Sequence, residues 1–128
     1  MQALLPEGWP RPSGYSNGIA AEGRFVFVAG QIGWTPDGRF PDTFLEQIDL
    51  ALANTVAVLK AGGAEPAHVT RMTWYLTDLP AYRSSLKDLG PIWRKHMGKV
   101  FPAMAAVGVT GLVEDAALIE IETTAVIS

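Results

Sequence analysis

Four side chains have types and positions that could support chemistry: Tyr15, Met104, Glu120 and Glu122. The two glutamates alternate with isoleucines in ALIEIETTAVI, so a strand here would carry both carboxylates on one face. A carboxylate partly removed from water can act as a general acid or base, or orient a water molecule. A solvated polar strand face is the alternative interpretation of the same pair.

Tyr15 and Met104 each allow two interpretations. Tyr15, in GYSNG, follows a proline-rich segment, so its phenol either anchors a turn or closes a pocket. Met104 is the one long, flexible side chain among the small and β-branched residues of the strand-like segment AMAAVGV. Because a thioether adapts to many surroundings, Met104 either fills the core or forms the floor of a pocket.

Other familiar catalytic motifs are absent from the sequence. The chain contains no G-x-S-x-G, G-x-x-x-x-G-K or G-x-G-x-x-G segment, and it has no cysteine. His68 and His96 lack metal-ligand spacing. We predict that His96, in Arg94-Lys95-His96, belongs to a solvated helix end, and that His68 is a surface loop residue. We therefore expect neither a bound metal nor a cofactor.

Composition limits the class of protein. A chain of 128 residues is typical of one domain, which we assign to residues 1–128. The net charge is −3 and the basic residues are scattered, so nucleic acid is not expected as a partner. We find no signal segment and no membrane-spanning window, and the lack of cysteine is compatible with a reducing compartment. We therefore expect a cytoplasmic protein with no membrane partner.

The N-terminal third is predicted from its turn-forming residues. Pro6, Pro10, Pro12 and Gly14 predict that residues 1–14 form an extended arm without regular structure. Arg24–Gly30 is predicted to form a strand, and the following TPDGRF predicts a turn into a short partner strand. This segment is therefore expected to be a β-hairpin.

Two helices are predicted from apolar spacing and capping residues. Thr43 and Glu46 form a capping box before a stripe of apolar residues spaced by three and four, and Gly62-Gly63 ends that helix. Asp78 predicts the N-cap of a second helix. Gly90-Pro91 is expected to interrupt the second helix, because proline lacks the amide donor, so the following IWRKHMG is either kinked or a separate turn.

The complete order of elements is β-β-α-β-α-β-β, which predicts an α+β fold with two helices on one face of a sheet. The strand segment Phe25–Val28 is apolar on both faces, yet two helices can cover only one of them. A second copy of the chain is the economical cover for the other face. We therefore expect a homo-oligomer in which any cleft lies between subunits.

The segments GYSNGI, FVFVAGQIG, LKAGGA, MTWYLTDL, FPAMAAV and LIEIETTAV, in this order, resemble the RidA family, also called YjgF, from Tyr15 to Val126. The resemblance implies a chorismate-mutase-like subunit with a mixed sheet. It also implies a homotrimer with three clefts between neighbouring chains. Active members of the family hydrolyse reactive enamines and imines to ketoacids and ammonia.

The resemblance also implies roles for individual residues. Glu120 matches the glutamate that positions or activates water, and Tyr15 matches the aromatic residue that closes the pocket. Gly30 and Ala106 are expected to contribute backbone groups to substrate binding.

Three positions depart from the pattern of the family. Deaminating members have an arginine after F-P-A that binds the substrate carboxylate, whereas this chain has Met104, which offers neither charge nor donors. Leu86 stands where an asparagine is frequent, and Ala29 where a serine is common. We therefore expect Leu86 and Met104 to line a less polar substrate site.

Three hypotheses follow. The first is an enzyme that hydrolyses an enamine or imine other than the usual 2-imino acids. A 2-aminomuconate-like substrate is a candidate if Arg71 or Arg94 replaces the missing cation. The alternative is a non-catalytic module that binds a small molecule in the same clefts. In the third, Met104 fills the core and the cleft is vestigial.

Overall fold

The structure, a computed structural model, describes residues 1–128. Its N-terminal segment contains two short antiparallel strands, β1 (Gln2–Leu4) and β2 (Gly18–Ala20), which form a small sheet of their own. The expectation of no regular structure before residue 15 is therefore wrong for β1. The first proline is Pro6, so every residue of β1 keeps its amide donor.

The main sheet contains four strands in the spatial order β3-β6-β4-β5. They span Arg24–Ile32 (β3), Val69–Leu76 (β4), Ala103–Gly108 (β5) and Ile119–Ile127 (β6). β6 pairs antiparallel with both β3 and β4, whereas β5 runs parallel to β4. The sheet is therefore mixed, and β5 is one of its edges.

The expected hairpin after Arg24–Gly30 does not form. The turn itself is present, since the Gly38 amide donates to the Thr35 carbonyl at 2.9 Å, but no partner strand follows it. Instead, β3 pairs with β6 and ends at Ile32. Gly33 then packs so closely on the first helix that a Cβ atom would lie 2.2 Å from the carbonyl oxygen of Gln47. At Gly33 the chain therefore leaves the sheet and packs against the layer of helices.

The first helix, α1 (Phe44–Ala61), confirms the predicted Thr43 cap and the glycine end, but not the complete capping box, because the Glu46 carboxylate bonds the Thr43 hydroxyl and not the Thr43 amide. The Thr43 hydroxyl accepts a hydrogen bond from the Glu46 amide at 3.2 Å and donates one to the Glu46 carboxylate at 2.7 Å. The helix ends at Gly62, whose amide donates back to Leu59 at 3.0 Å. Local signals were sufficient here because every partner lies within one turn.

The second helical region contains two helices, α2 (Leu79–Ser84) and α3 (Leu86–Met97). Asp78 caps α2, as predicted, by accepting the Ala81 amide at 3.0 Å. The predicted interruption at Gly90-Pro91 is wrong, because α3 continues through it and the break falls at Ser85. Buried side chains on both sides of Pro91, Leu89 and Met97, hold α3 on the core despite the one missing donor.

The helices cover only one face of the main sheet. The core between sheet and helices includes Ile48 and Leu52 of α1 and Ile121 of β6, all fully buried. On the opposite, open face, Phe25 and Phe27 remain 52% and 74% exposed. The expected uncovered apolar face is therefore present in the single chain. No helix is both long and apolar enough to cross a membrane.

The two histidines have structural contacts in this fold. His96 was predicted to be solvated, but its side chain is only 13% exposed and hydrogen-bonds Asp49 of α1, which also pairs with Lys95 at 3.1 Å. The hydrogen bond from His96 is the main cause of a lowered pKa at Asp49. His68 accepts the Glu65 amide at 3.0 Å and so closes a single 3₁₀ turn before β4.

Candidate functional site

A cavity of about 740 Å³ lies between the edge strand β5, the helices α2 and α3, and residues 13–15. Its lining includes four of the six residues that the sequence assigned to a site: Tyr15, Leu86, Met104 and Ala106. A volume of about 300–1,000 Å³ is usual for a small-molecule site. The cavity is therefore large enough to hold a metabolite.

Strand pairing explains why Met104 and Ala106 face this cavity. Met104 lies opposite Met72, and Ala106 lies opposite Trp74, and both partners on β4 are buried beneath the helices. Because directly paired residues share a face, both β5 side chains point to the helical side. β5 is an edge strand, so Met104 packs on the core and also lines the cavity. The two interpretations of Met104 are thus compatible in one side chain.

Tyr15 is held at the cavity by the backbone of its neighbour. The Ser16 amide donates to the Pro102 carbonyl at 3.0 Å, and its hydroxyl donates to the Phe101 carbonyl at 2.6 Å. These bonds fix the segment beside the start of β5. Tyr15 remains 41% exposed and lines the cavity together with Phe101. Its phenol is therefore available to a ligand and to solvent.

Three aromatic residues form one wall of the cavity. The ring of Trp74 lies 6.3 Å from Tyr82 and 6.2 Å from Trp93 between centroids. The Trp93 indole donates to the Val100 carbonyl at 3.1 Å, whereas the buried indole N–H of Trp74 has no acceptor. Burial raises the pKa of Tyr82, which favours its neutral phenol. The sequence alone gives no signal for this wall, since nothing local links β4, α2 and α3.

The charged residues of the cavity are both cationic. Arg94 and Lys99 line it, and no aspartate or glutamate does. Of the two arginines considered as replacements for the missing cation, Arg94 therefore lines the same cavity as Met104. Arg71 lies opposite Thr124 on the open face and does not line the cavity.

Glu120 and Gly30 lie together, but at a different place. The pairing of β3 with β6 shifts by one residue between Val28 and Gln31, which produces a bulge at Ala29-Gly30. The Glu120 carboxylate occupies the space beside Gly30, where a Cβ atom would lie 2.6 Å from Oε2. Gly30 therefore permits this position of the carboxylate.

The neighbours of Glu120 belong to the open face of the sheet. Tyr75 is its direct partner on β4, and the Tyr75 hydroxyl donates to Glu122 at 3.2 Å. This hydrogen bond is the main cause of the raised pKa of Tyr75. Because Trp74 pairs with Ile121 in the core, Glu120 points away from the helices and from the cavity. The six predicted residues thus form two groups on opposite faces of one sheet.

No group of three or more histidine, cysteine, aspartate or glutamate residues is arranged to hold a metal ion.

Comparisons with known proteins agree along nearly the whole chain. The sequence profile of the family described as Endoribonuclease L-PSP matches residues 10–127. A RutC family protein from Pyrococcus abyssi is 34% identical over 127 residues, which are 97% of this chain and 95% of that protein. A 2-iminobutanoate/2-iminopropanoate deaminase from Capra hircus is 31% identical over 114 residues, 88% of this chain and 79% of that protein.

A solved structure gives the same result for the fold. The crystal structure of YyfB, a protein of unknown function of the Rid family from Yersinia pestis, superposes with a TM-score of 0.85 at 32% identity and covers 98% of both chains. The α+β class with helices packed on a mixed sheet is thus confirmed. The chain belongs to the Endoribonuclease L-PSP family, the RidA and YjgF proteins whose motifs it carries.

Proposed function

We propose that the protein is an enamine or imine hydrolase whose active site is completed between copies of the chain in a homotrimer. The observation that carries this proposal is the separation of Glu120 and Gly30 from the cavity that contains Tyr15 and Met104. A neighbouring copy that docks its open face against the β5 edge supplies Glu120 to that cavity. Relatives named as deaminases support the reaction type.

The open face supports the assembly. Phe25, Phe27 and Val107 are exposed there, around Tyr75 and Glu120. An apolar sheet face in water is unfavourable, and a second copy of the chain removes it from solvent. In a closed ring of three chains, each copy contributes one cavity and one Glu120 carboxylate, so three equivalent clefts result.

The proposed reaction is addition of water to a protonated imine. The water oxygen bonds to the imine carbon, the C=N π electrons move to nitrogen, and the Glu120 carboxylate accepts the proton that the water loses. Glu120 then returns that proton to the nitrogen. The C–N bond then breaks and its electron pair leaves with ammonia, while the carbinol oxygen forms the ketone C=O bond and gives its proton to the Glu120 carboxylate, which passes it to solvent. Tyr15, at the cavity, donates a hydrogen bond to the oxygen.

Met104 sets the substrate range in this proposal. A thioether provides neither charge nor N–H donors for a carboxylate next to the imine carbon. We therefore propose that the substrate is an imine or enamine other than the simple 2-imino acids. Leu86 and the backbone at Ala106 complete the apolar side of the cleft. The alternative is a non-catalytic module that holds a small molecule in the same cleft, which the apolar lining also fits.

Glu120→Gln tests the proposal. The measurement is ammonia release from a panel of enzymatically generated imines, with sedimentation to follow the assembly. We expect the variant to remain trimeric and to lose about a hundredfold in rate, as is typical when a general base is removed. Glu122→Gln is the matched control, since it makes the same change two residues along the same face and should retain activity.

The outcomes separate the hypotheses. Equal rates for wild type and Glu120→Gln would exclude Glu120 as the base. Saturable ligand binding with no turnover of any imine by the wild type would favour the binding module. A monomer at micromolar concentration would exclude the composite site.

A further inference from the structure

We infer that the cavity takes a planar, unsaturated or aromatic carboxylate whose anionic group is bound by Arg94 of α3. The inference rests on the proposed function, because it names the substrate class of the same cleft. The carboxylate of the ligand binds to Arg94, and its ring or conjugated chain packs against the aromatic residues of the cavity.

The charge of the cavity is the first argument. The whole chain has a net charge of −3, yet the cavity lining contains two cations and no carboxylate. The three ion pairs of the chain use Arg39, Lys95 and His96, so neither Arg94 nor Lys99 has an acidic partner. An anion that enters this cavity therefore meets two unpaired cations and no competing acid.

The position of the Arg94 guanidinium is the second argument. A Cβ atom at Gly90, one turn earlier in α3, would lie 3.4 Å from Nη1 and 3.9 Å from Nη2 of Arg94. The side chain thus lies back along α3 over Gly90, which itself lines the cavity, and it is exposed there to an incoming ligand. A guanidinium can bind a carboxylate through two parallel hydrogen bonds.

The aromatic wall is the third argument. Trp74 pairs with both Tyr82 and Trp93 along one side, and Tyr15 and Phe101 contribute two further exposed rings. Aromatic faces prefer planar apolar partners in stacked or edge-on arrangements. The volume of about 740 Å³ is more than a three- or four-carbon imino acid requires. Together with the apolar Met104, this wall favours a ligand with a planar apolar body.

Phenylacetate and its neutral analogue phenylacetamide are suitable probes, because they differ in the charge of one group. Titration calorimetry gives the dissociation constants, and quenching of tryptophan fluorescence reports on Trp74 and Trp93. We expect saturable binding of phenylacetate and about tenfold weaker binding of the amide. Arg94→Met should weaken phenylacetate binding about tenfold or more and leave the amide unchanged, the loss typical of a charge-assisted hydrogen bond.

Arg83→Met is the matched control, since it removes the same side chain from the exposed end of α2, outside the cavity lining. The inference is overturned if phenylacetate does not bind saturably, if the amide binds equally well, or if Arg83→Met and Arg94→Met lose the same affinity. The binding test needs no turnover. Arg94-dependent binding in a protein that releases no ammonia would therefore sustain this inference while the proposed hydrolase activity failed. Imine turnover by a wild-type protein that does not bind phenylacetate saturably would do the reverse.

Discussion

Replacement of Gly30 by alanine should impair catalysis without unfolding the protein. The new Cβ atom would lie 2.6 Å from both Cδ and Oε2 of Glu120, whereas ordinary van der Waals contact begins at 3.4 Å. The obstructing atoms are the end of a flexible side chain, so the carboxylate can move by about 0.8 Å while the sheet stays in place. A displacement of about 1 Å at a reacting group can cost on the order of a hundredfold in rate. We therefore expect a loss of ten- to about a hundredfold in ammonia release, with little change in melting temperature.

The assay combines steady-state ammonia release with thermal unfolding. Gly111→Ala serves as the control, because a Cβ atom there would have no neighbour within 4 Å. The double variant Gly30→Ala/Glu120→Gln tests the cause of the loss. If alanine acts by displacing the carboxylate, it should add almost nothing once the carboxylate is gone, so the two effects should be non-additive. The reasoning would be refuted if the rate losses of the two single variants multiplied in the double variant, or if Gly30→Ala kept full activity.

Two further substitutions test the cavity at Met104 and the proposed interface at Phe27. Met104→Arg should raise kcat/KM for 2-iminopropanoate about tenfold, since it provides a charge-assisted hydrogen bond to the carboxylate worth roughly 1.5 kcal/mol. Met104→Leu is its control. Unchanged activity in the arginine variant would contradict the view that Met104 excludes simple 2-imino acids. Phe27→Glu places a charge on the open face, at a side chain that is 74% exposed in the single chain. Because burying this charge between subunits is unfavourable, the variant should sediment as a monomer, with a core as stable as that of wild type. A trimeric Phe27→Glu protein would show that this face is not the interface.

Much of the fold follows from short-range patterns. The Thr43 cap of α1, the cap of α2 and the alternation of β4 and β6 each depend on residues within a few positions of one another. The errors all concern partners distant in the chain. Turn residues after β3 indicate a turn, but nothing local states that β6 instead of a hairpin strand will pair with it. Pro91 likewise marks a lost donor, whereas the packing of Leu89 and Met97 determines that α3 continues.

The candidate site shows the same limit. Family resemblance selected Tyr15, Leu86, Met104 and Ala106, and the structure places these four around one cavity. The aromatic wall was missed and the choice between Arg71 and Arg94 stayed open, because β4, α2 and α3 meet only in the folded chain. The contact of Glu120 with Gly30 depends on a one-residue shift between β3 and β6, which has no signature in either strand alone.

Successive residues of a strand point to opposite faces of the sheet, so the cavity and the Glu120 carboxylate can be tested separately. β4 lies between β5 and β6, and its successive residues Trp74 and Tyr75 point to opposite faces of the sheet. Ala106 shares the face of Trp74, whereas Glu120 shares that of Tyr75, so no rotamer of Glu120 brings its carboxylate through the sheet into the cavity of its own chain. A monomeric Phe27→Glu protein should therefore bind phenylacetate in its cavity as wild type does, yet release no ammonia. Calorimetry and the ammonia assay on the same sample test this directly. Turnover by a protein that sediments as a monomer would show that catalysis does not need Glu120 of a second copy.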